Sequence, residues 1–287
     1  MPRGLTLALA LALAAGAARA AEPPLGPSLA EMIYARSAAL GAYLGVVPGA
    51  DAIVFNPAAL AARKAFTAEL QYYTDRLGSD MQAQFYGLAV VDSTTGPVAG
   101  GASVTRAQTL GYQGWVNDVA LAVPIFGGFY LGGTIEYLTF SGPVPVNAVT
   151  ATASAFLEIG QVVTIGATAY NFINIYHADL VPRGFGAGVA VGSDRLFHLS
   201  ADWRGLRGSD DVVKNSFAAG FEVLLFDLIP LRGGYLFDDW RQGQWWSAGT
   251  GIVTPWGVAL DLTYRQAIGY TSARTFAGTL KFFFGSL

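Results

Sequence analysis

From Phe66 to the end of the chain, apolar and polar side chains alternate with a period of two. That period belongs to β-strands with one apolar face. Phe197, Leu199, Ala201 and Trp203 fall on one side of their segment, and His198, Ser200, Asp202 and Arg204 on the other. Phe66, Ala68, Leu70 and Tyr72 oppose Thr67, Glu69 and Gln71 in the same way, and Val258, Leu260, Leu262 and Tyr264 oppose Asp261, Thr263 and Arg265. Turn signals such as Leu77-Gly78-Ser79, Gly127-Gly128 and Gln242-Gly243 cut the pattern into segments. About fourteen strands result, near 66–75, 81–91, 97–107, 113–123, 129–140, 150–159, 162–172, 183–192, 195–204, 214–226, 230–238, 244–253, 257–267 and 274–284, with twelve or thirteen if the pair around Gly160 does not form. Strands of this length suit a tilted crossing of a lipid bilayer.

Composition narrows the choice. Of 287 residues, 53% are hydrophobic and 13% charged, against roughly 25% charged in a soluble domain. Lys and Arg total 17 against 20 Asp and Glu, so there is no basic excess for a nucleic-acid partner. The absence of Cys excludes a disulfide scaffold and a thiolate metal site. Met1-Pro2-Arg3, an uncharged Leu/Ala stretch and Ala18-Arg19-Ala20 form the pattern of a secretory signal peptide over residues 1–20. Between Tyr137 and Ala178 the only charge is Glu158, but Gly142, Pro143, Pro145, Gly160 and many β-branched residues argue against a membrane helix there.

A soluble β-sandwich also alternates. Here the apolar face recurs on nearly every strand, and aromatics gather at strand ends: Tyr72, Trp115, Phe129, Tyr137, Trp203, Trp240, Trp245, Trp256, Tyr264 and Phe284. That distribution matches the aromatic girdles of outer-membrane barrels. A spanning sheet must close, because lipid cannot satisfy a free edge. The expected fold is therefore all-β, a transmembrane antiparallel up-and-down β-barrel with an even number of strands, placed in the outer membrane of a Gram-negative-type bacterium.

The polar face is then the lumen. Glu69, Asp118, Glu136, Glu158, His198, Asp202, Arg204, Glu222, Asp261, Arg265 and Lys281 are expected to point inward, since an Arg or Lys on the lipid side costs about 2–4 kcal/mol at the bilayer midplane. Both signs occur, so pairing across the interior is expected. His198 near Ser200 and Asp202 raises the idea of a Ser-His-acid hydrolase, but no nucleophile motif surrounds Ser200. His177 and Asp179 lack further ligands for a metal. Gly184-Phe185-Gly186 and Gly249-Thr250-Gly251 lie on strands, away from any strand–turn–helix phosphate loop. No enzyme, cofactor or metal is expected.

The segment before the barrel, residues 21–63, has a different grammar. Its Pro-rich start is a leader, Ser28 to Glu31 has capping-box spacing, and Leu40 to Val47 reads as an extended, Gly-punctuated stretch. Asn56 is placed to cap an Ala-rich helix that begins at Pro57. Gly41-Ala42-Tyr43, Gly49-Ala50-Asp51-Ala52 and Phe55-Asn56-Pro57-Ala58-Ala59-Leu60-Ala61 resemble the N-terminal signature of the FadL/PorV superfamily of outer-membrane barrels. Pro182 to Gly188, Leu199 to Trp203 and Pro230 to Tyr235 resemble its PorV-type branch.

The resemblance implies a barrel of fourteen strands over residues 64–287, with residues 21–63 tucked into it as a hatch gated at Asn56, Pro57 and Ala58. It implies one of two activities. The first is transport of hydrophobic small molecules, such as a fatty acid, through the plugged barrel. The second is a PorV-like part in protein secretion or surface assembly, with secretion-system proteins as partners and no solute passing. Membrane lipid is a partner in either case, as is the barrel-assembly machinery through the C-terminal strand ending near Phe284. The inter-strand loops are short for a fatty-acid carrier, the longest candidates being Phe140 to Val149 and Asn174 to Pro182.

Overall fold

The computed structural model describes residues 29, 34–46, 49–160, 162–173, 179–193 and 196–284. The signal-peptide segment, the leader, most of the Ser28–Glu31 capping box and His177 lie outside the described residues. Fourteen strands form one closed barrel in which every neighbour is antiparallel and consecutive in sequence, and β14 closes onto β1. They are β1 (Phe66–Leu77), β2 (Asp80–Asp92), β3 (Ala99–Thr109), β4 (Tyr112–Phe126), β5 (Phe129–Ser141), β6 (Val146–Ile159), β7 (Val163–Tyr170), β8 (Arg183–Ser193), β9 (Phe197–Arg207), β10 (Val213–Leu225), β11 (Ile229–Asp238), β12 (Gly243–Val253), β13 (Val258–Ala267) and β14 (Ala273–Phe284). The pair around Gly160 forms as β6 and β7. No described helix is long and apolar enough to cross a membrane.

The alternation sets the faces as expected. Leu199, Trp203, Phe217, Leu262 and Phe276 are exposed on the outer wall, while His198, Asp202, Glu222, Asp261 and Arg265 are buried on the inner one. Two aromatics depart from the expected girdle: Trp240 and Trp245 are buried inside. Adjacent Trp245 and Trp246 must point to opposite faces of β12, and it is Trp246 that reaches the outside. Trp240 folds inward from the β11–β12 turn and packs under Lys214 Nζ, 4.7 Å from its ring centroid. The expected loop from Phe140 to Val149 shrinks to residues 142–145, because β5 and β6 extend as a hairpin with Phe140 opposite Val146.

One stretch of wall is thinner. β7 is the shortest strand and pairs with β6 only from Ala153 to Ile159. On that side Val146 to Thr152 of β6 have no strand partner among the described residues. The chain leaving β7 covers part of this edge, where Phe172 N donates to Ala151 O at 3.0 Å.

Before the barrel, the chain forms helix α1 (Ala35–Leu40), a series of bends, helix α2 (Ala52–Phe55) and a 3-10 turn (Pro57–Ala61). The α1 helix packs on β10 to β14 and β1, and the 3-10 turn on β3 to β6. The segment therefore crosses the lumen from one wall to the other before entering β1. The expected extended stretch at 40–47 is replaced by the end of α1 and these bends.

Candidate functional site: a plugged lumen

A strand satisfies its own backbone through its neighbours, but a short irregular plug has few internal partners and needs them from its surroundings. The wall supplies them from its inward polar face. Thr279 accepts Ala35 N at 3.0 Å, Thr263 Oγ1 donates to Ala35 O at 2.5 Å, and Ser247 Oγ donates to Ala39 O at 2.7 Å. Asp202 accepts both Tyr43 N at 2.5 Å and Leu44 N at 2.8 Å. Farther along, Thr134 Oγ1 donates to Ile53 O at 2.5 Å, Thr168 Oγ1 to Phe55 O at 2.8 Å, and Ser154 Oγ accepts Ala58 N at 2.8 Å. These hydroxyls lie on the polar face of the period-two pattern, which is the signal in the sequence that marks them as inward-facing.

Space for the plug comes from missing side chains. A Cβ on Gly166 of β7 would lie 1.8 Å from Leu44 O, and one on Gly132 of β5 would lie 2.4 Å from Ala58 N. Both positions need glycine because the plug backbone touches the wall there.

The inward charges form a buried chain rather than scattered pairs. Arg36 of the plug meets Glu222 at 2.8 Å, Glu222 also pairs with Arg232, and Arg232 meets Asp261 at 2.6 Å. Lys281 continues it, 3.3 Å from Asp261 and 3.8 Å from Glu69, and Glu69 accepts Ala50 N at 3.0 Å. Each end of this chain thus holds the plug. Arg36 and Arg232 were not among the expected lumen residues, although Arg232 alternates with outward Leu231.

The other expected lumen residues are also inside. Arg204 stacks over the Tyr43 ring at 5.3 Å. Asp118 and Glu136 are cross-strand neighbours on β4 and β5, and Ser103 Oγ donates to Asp118 at 2.5 Å. His198 Nδ1 lies 3.6 Å from Glu222, while Ser200 Oγ donates to Ala42 O at 3.3 Å and Asp202 holds the plug. The three do not assemble as nucleophile, base and acid.

Asn56 is buried, as are Pro57 and Ala58. Asn56 makes no side-chain cap to the 3-10 turn. Its Nδ2 instead donates to Leu44 O at 2.9 Å, tying two passes of the plug together. Its Oδ1 has no partner, and the residue lines a small cavity with Tyr43, Val46, Asp51, Ala52, Phe55 and Ala59. The sequence reading placed Asn56 in the plug but gave it the wrong bond, because cap preference is local and the plug folds back on itself.

The interior is not uniformly polar. Toward the end away from the chain termini, the inner wall carries Tyr73, Phe85, Leu138, Phe140, Tyr170 and Leu206, all buried in one cluster with Tyr43 and Phe55 of the plug. Tyr73 and Phe85 stack with centroids 5.1 Å apart. A water-filled porin has a polar lumen; half of this one is greasy.

No family model matches the chain, and no curated protein matches it. Solved structures do. The CymD monoaromatic hydrocarbon channel aligns over 91% of this chain and 97% of its own, at 11% identity and a TM-score of 0.68. The Ralstonia pickettii toluene transporter TbuX aligns over 89% and 98%, at 13% identity and 0.66, and a Pseudomonas aeruginosa FadL homologue over 91% and 98%, at 12% and 0.60. The fold is the FadL-type barrel. A FadL-type barrel is a scaffold, and at these identities the likeness speaks of fold alone.

Proposed function

We propose that the protein carries hydrophobic small molecules across the outer membrane through the plugged barrel. The observation that carries this reading is the apolar half-lumen from Tyr73 to Tyr170, which would desolvate a greasy solute and repel a hydrated one. The described solved structures of the same fold include channels named for monoaromatic hydrocarbons and toluene, which supports the same class of cargo. Asn56, Pro57 and Ala58 act as part of the gate, and the thin wall beside Val146 to Thr152 offers a way out into lipid. The end bearing the chain termini faces the periplasm, since outer-membrane barrels put their longer loops outside and residues 171–182 form the longest connection at the other end. The protein is exported after cleavage of residues 1–20. It is not an enzyme.

The test is uptake of labelled toluene by intact Gram-negative cells that carry the folded barrel, against cells that lack it. Uptake above the control, with no gain for a sugar of similar size, supports the reading; equal uptake refutes it. A role in secretion or surface assembly is favoured by one feature, the exposed Val144, Phe172, Ile173 and Val212 at the outer rim. A folded barrel with no hydrocarbon uptake and a stoichiometric surface partner that is lost on Phe172→Ser would favour that role.

A further inference from the structure

Near the rim away from the chain termini, the outer face of the barrel carries two facing cations with no anion between them. Arg76 of β1 and Arg274 of β14 stand directly opposite each other in the register, and both are exposed. Side chains so opposed have Cβ atoms about 4.5–5.5 Å apart, and like charges in that position repel. The flanking strands bring no acid. Met81 of β2 lies opposite Arg76, and Gln266 of β13 lies opposite Arg274. Asp80, the residue before Met81, faces Leu77 and accepts Ser79 Oγ at 3.4 Å. Arg274 Nε donates to Thr271 O at 2.9 Å, and among the described residues neither arginine has an ion pair.

The same barrel shows what such a pair requires. Arg183 of β8 and Arg207 of β9 are also directly opposite each other. There Asp211 of the β9–β10 connection serves both, 3.6 Å from Arg183 and 3.2 Å from Arg207. At the β1–β14 seam the anion has to come from outside the chain. Below Arg274 the outer face of β14 continues with Phe276, Gly278 and Leu280, at steps of roughly 7 Å. Phe276 stands ring to ring with Tyr264, and Tyr264 with Trp246, at 5.2 and 5.5 Å. Such an aromatic row marks where a barrel wall meets the headgroup layer. Gly278 lies opposite exposed Leu262 and Tyr72 and leaves a notch between them. Charge, ring and apolar notch thus follow one another in the order of phosphate, interface and acyl chain.

We propose that Arg76 and Arg274 clamp a phosphate on the headgroup of an outer-leaflet lipid whose acyl chain lies over Gly278. The guanidinium N–H groups donate to the phosphate oxygens in the forked geometry that suits arginine. Gln266 Oε1 accepts the Tyr264 hydroxyl at 2.5 Å, which leaves its amide N–H groups for the same anion. The bound phosphate turns a repulsion between the first and last strands into a bridge across the seam that closes the barrel. The site lies on the outside of the wall and is independent of what passes through the lumen. It takes from the proposed orientation only that this rim is the outer one.

The test is native mass spectrometry of the folded full barrel, released from neutral detergent micelles that contain lipid A, a phosphorylated glucosamine lipid, or in separate runs a neutral diacylglycerol. Saturable retention of lipid A is expected, with no diacylglycerol retained. Affinity falls roughly fivefold in Arg76→Gln and by a similar factor in Arg274→Gln. It is unchanged in Arg183→Gln, because that pair has its own anion in Asp211. Arg274→Glu, which sets a carboxylate opposite Arg76, loses lipid A and unfolds at a higher temperature than wild type in lipid-free detergent. That second readout decides the matter if a Gln variant fails to fold. Equal lipid A affinity in wild type and both Gln variants overturns the proposal, as does an equal fall in Arg183→Gln, which would mean that the charged rim as a whole attracts the lipid. Displacement of lipid A by millimolar inorganic phosphate also overturns it, since that marks a site for the free anion.

Discussion

Single side chains hold this plug by filling backbone valences that a short helix cannot fill itself. Asp202 is the clearest case, with two plug amides on one carboxylate. Asp202→Ala leaves Tyr43 N and Leu44 N buried and without that acceptor, a loss of about 1.5–3 kcal/mol for each charged hydrogen bond. The expected outcome is a lower temperature for the shift between folded and unfolded bands on a cold SDS gel, with Ser209→Ala at the rim unchanged. Asn56→Ala leaves Leu44 O without its 2.9 Å donor, at a cost of about 1–3 kcal/mol. It should loosen the plug and raise permeability to small hydrophobic probes; unchanged flux would count against Asn56 as part of the gate. The sequence placed both residues correctly, Asp202 on the lumen face and Asn56 in the hatch. It did not reveal their partners, because those lie 159 and 12 residues away and only the closed barrel brings the first pair together.

At the level of elements, wall and plug are matched by subtraction. Gly166 stands where Leu44 O passes, so Gly166→Ala drives a methyl into a carbonyl 1.8 Å away. Gly100 of β3 meets only the tip of Leu121 at 3.8 Å. Gly166→Ala is expected to displace the plug and speed tryptic cleavage at the exposed Arg63-Lys64 junction by loosening the backbone around it, while Gly100→Ala is cut no faster than wild type. Equal protection of both variants would mean that the bends at 41–46 shift without loosening. The strands themselves were legible in sequence to within a few residues, since a two-residue period with turn punctuation is a local property. The helices were less so. Asn56-Pro57 suggested an α-helix, yet the turn at Pro57–Ala61 is 3-10, held by Ser154 and by packing on β3 to β6. Strand glycines were readable as room for a hatch, but which carbonyl each one accommodates was not.

For the whole molecule, the lumen combines a charged chain along β10 to β14 and β1 with an apolar cluster toward the end away from the chain termini, and the plug touches both. The apolar end is not legible in the sequence because Phe85, Leu138 and Phe140 sit on the face that elsewhere carries polar residues, and a period alone does not say which half of a strand faces solvent. The charged chain from Arg36 to Glu69 ties the plug at two points. Replacing Glu222 with Gln removes one anion that faces Arg36, Arg232 and His198. That variant should conduct ions in a planar bilayer more often than wild type, as the released plug samples open positions.

The central claim is that hydrophobic solutes pass this barrel only when the plug moves. The chain has no cysteine, so an introduced pair is clean. A Cβ on Gly41 lies 3.7 Å from the Ala218 Cβ, within the range of a disulfide, although Gly41 has φ of 70° and a side chain there costs about 1–2 kcal/mol. The measurement is toluene uptake by cells carrying Gly41→Cys with Ala218→Cys, oxidised and then reduced. The account predicts uptake near the level of cells without the barrel when oxidised, and recovery on reduction. Equal uptake in the two states, above that of cells without the barrel, would contradict it.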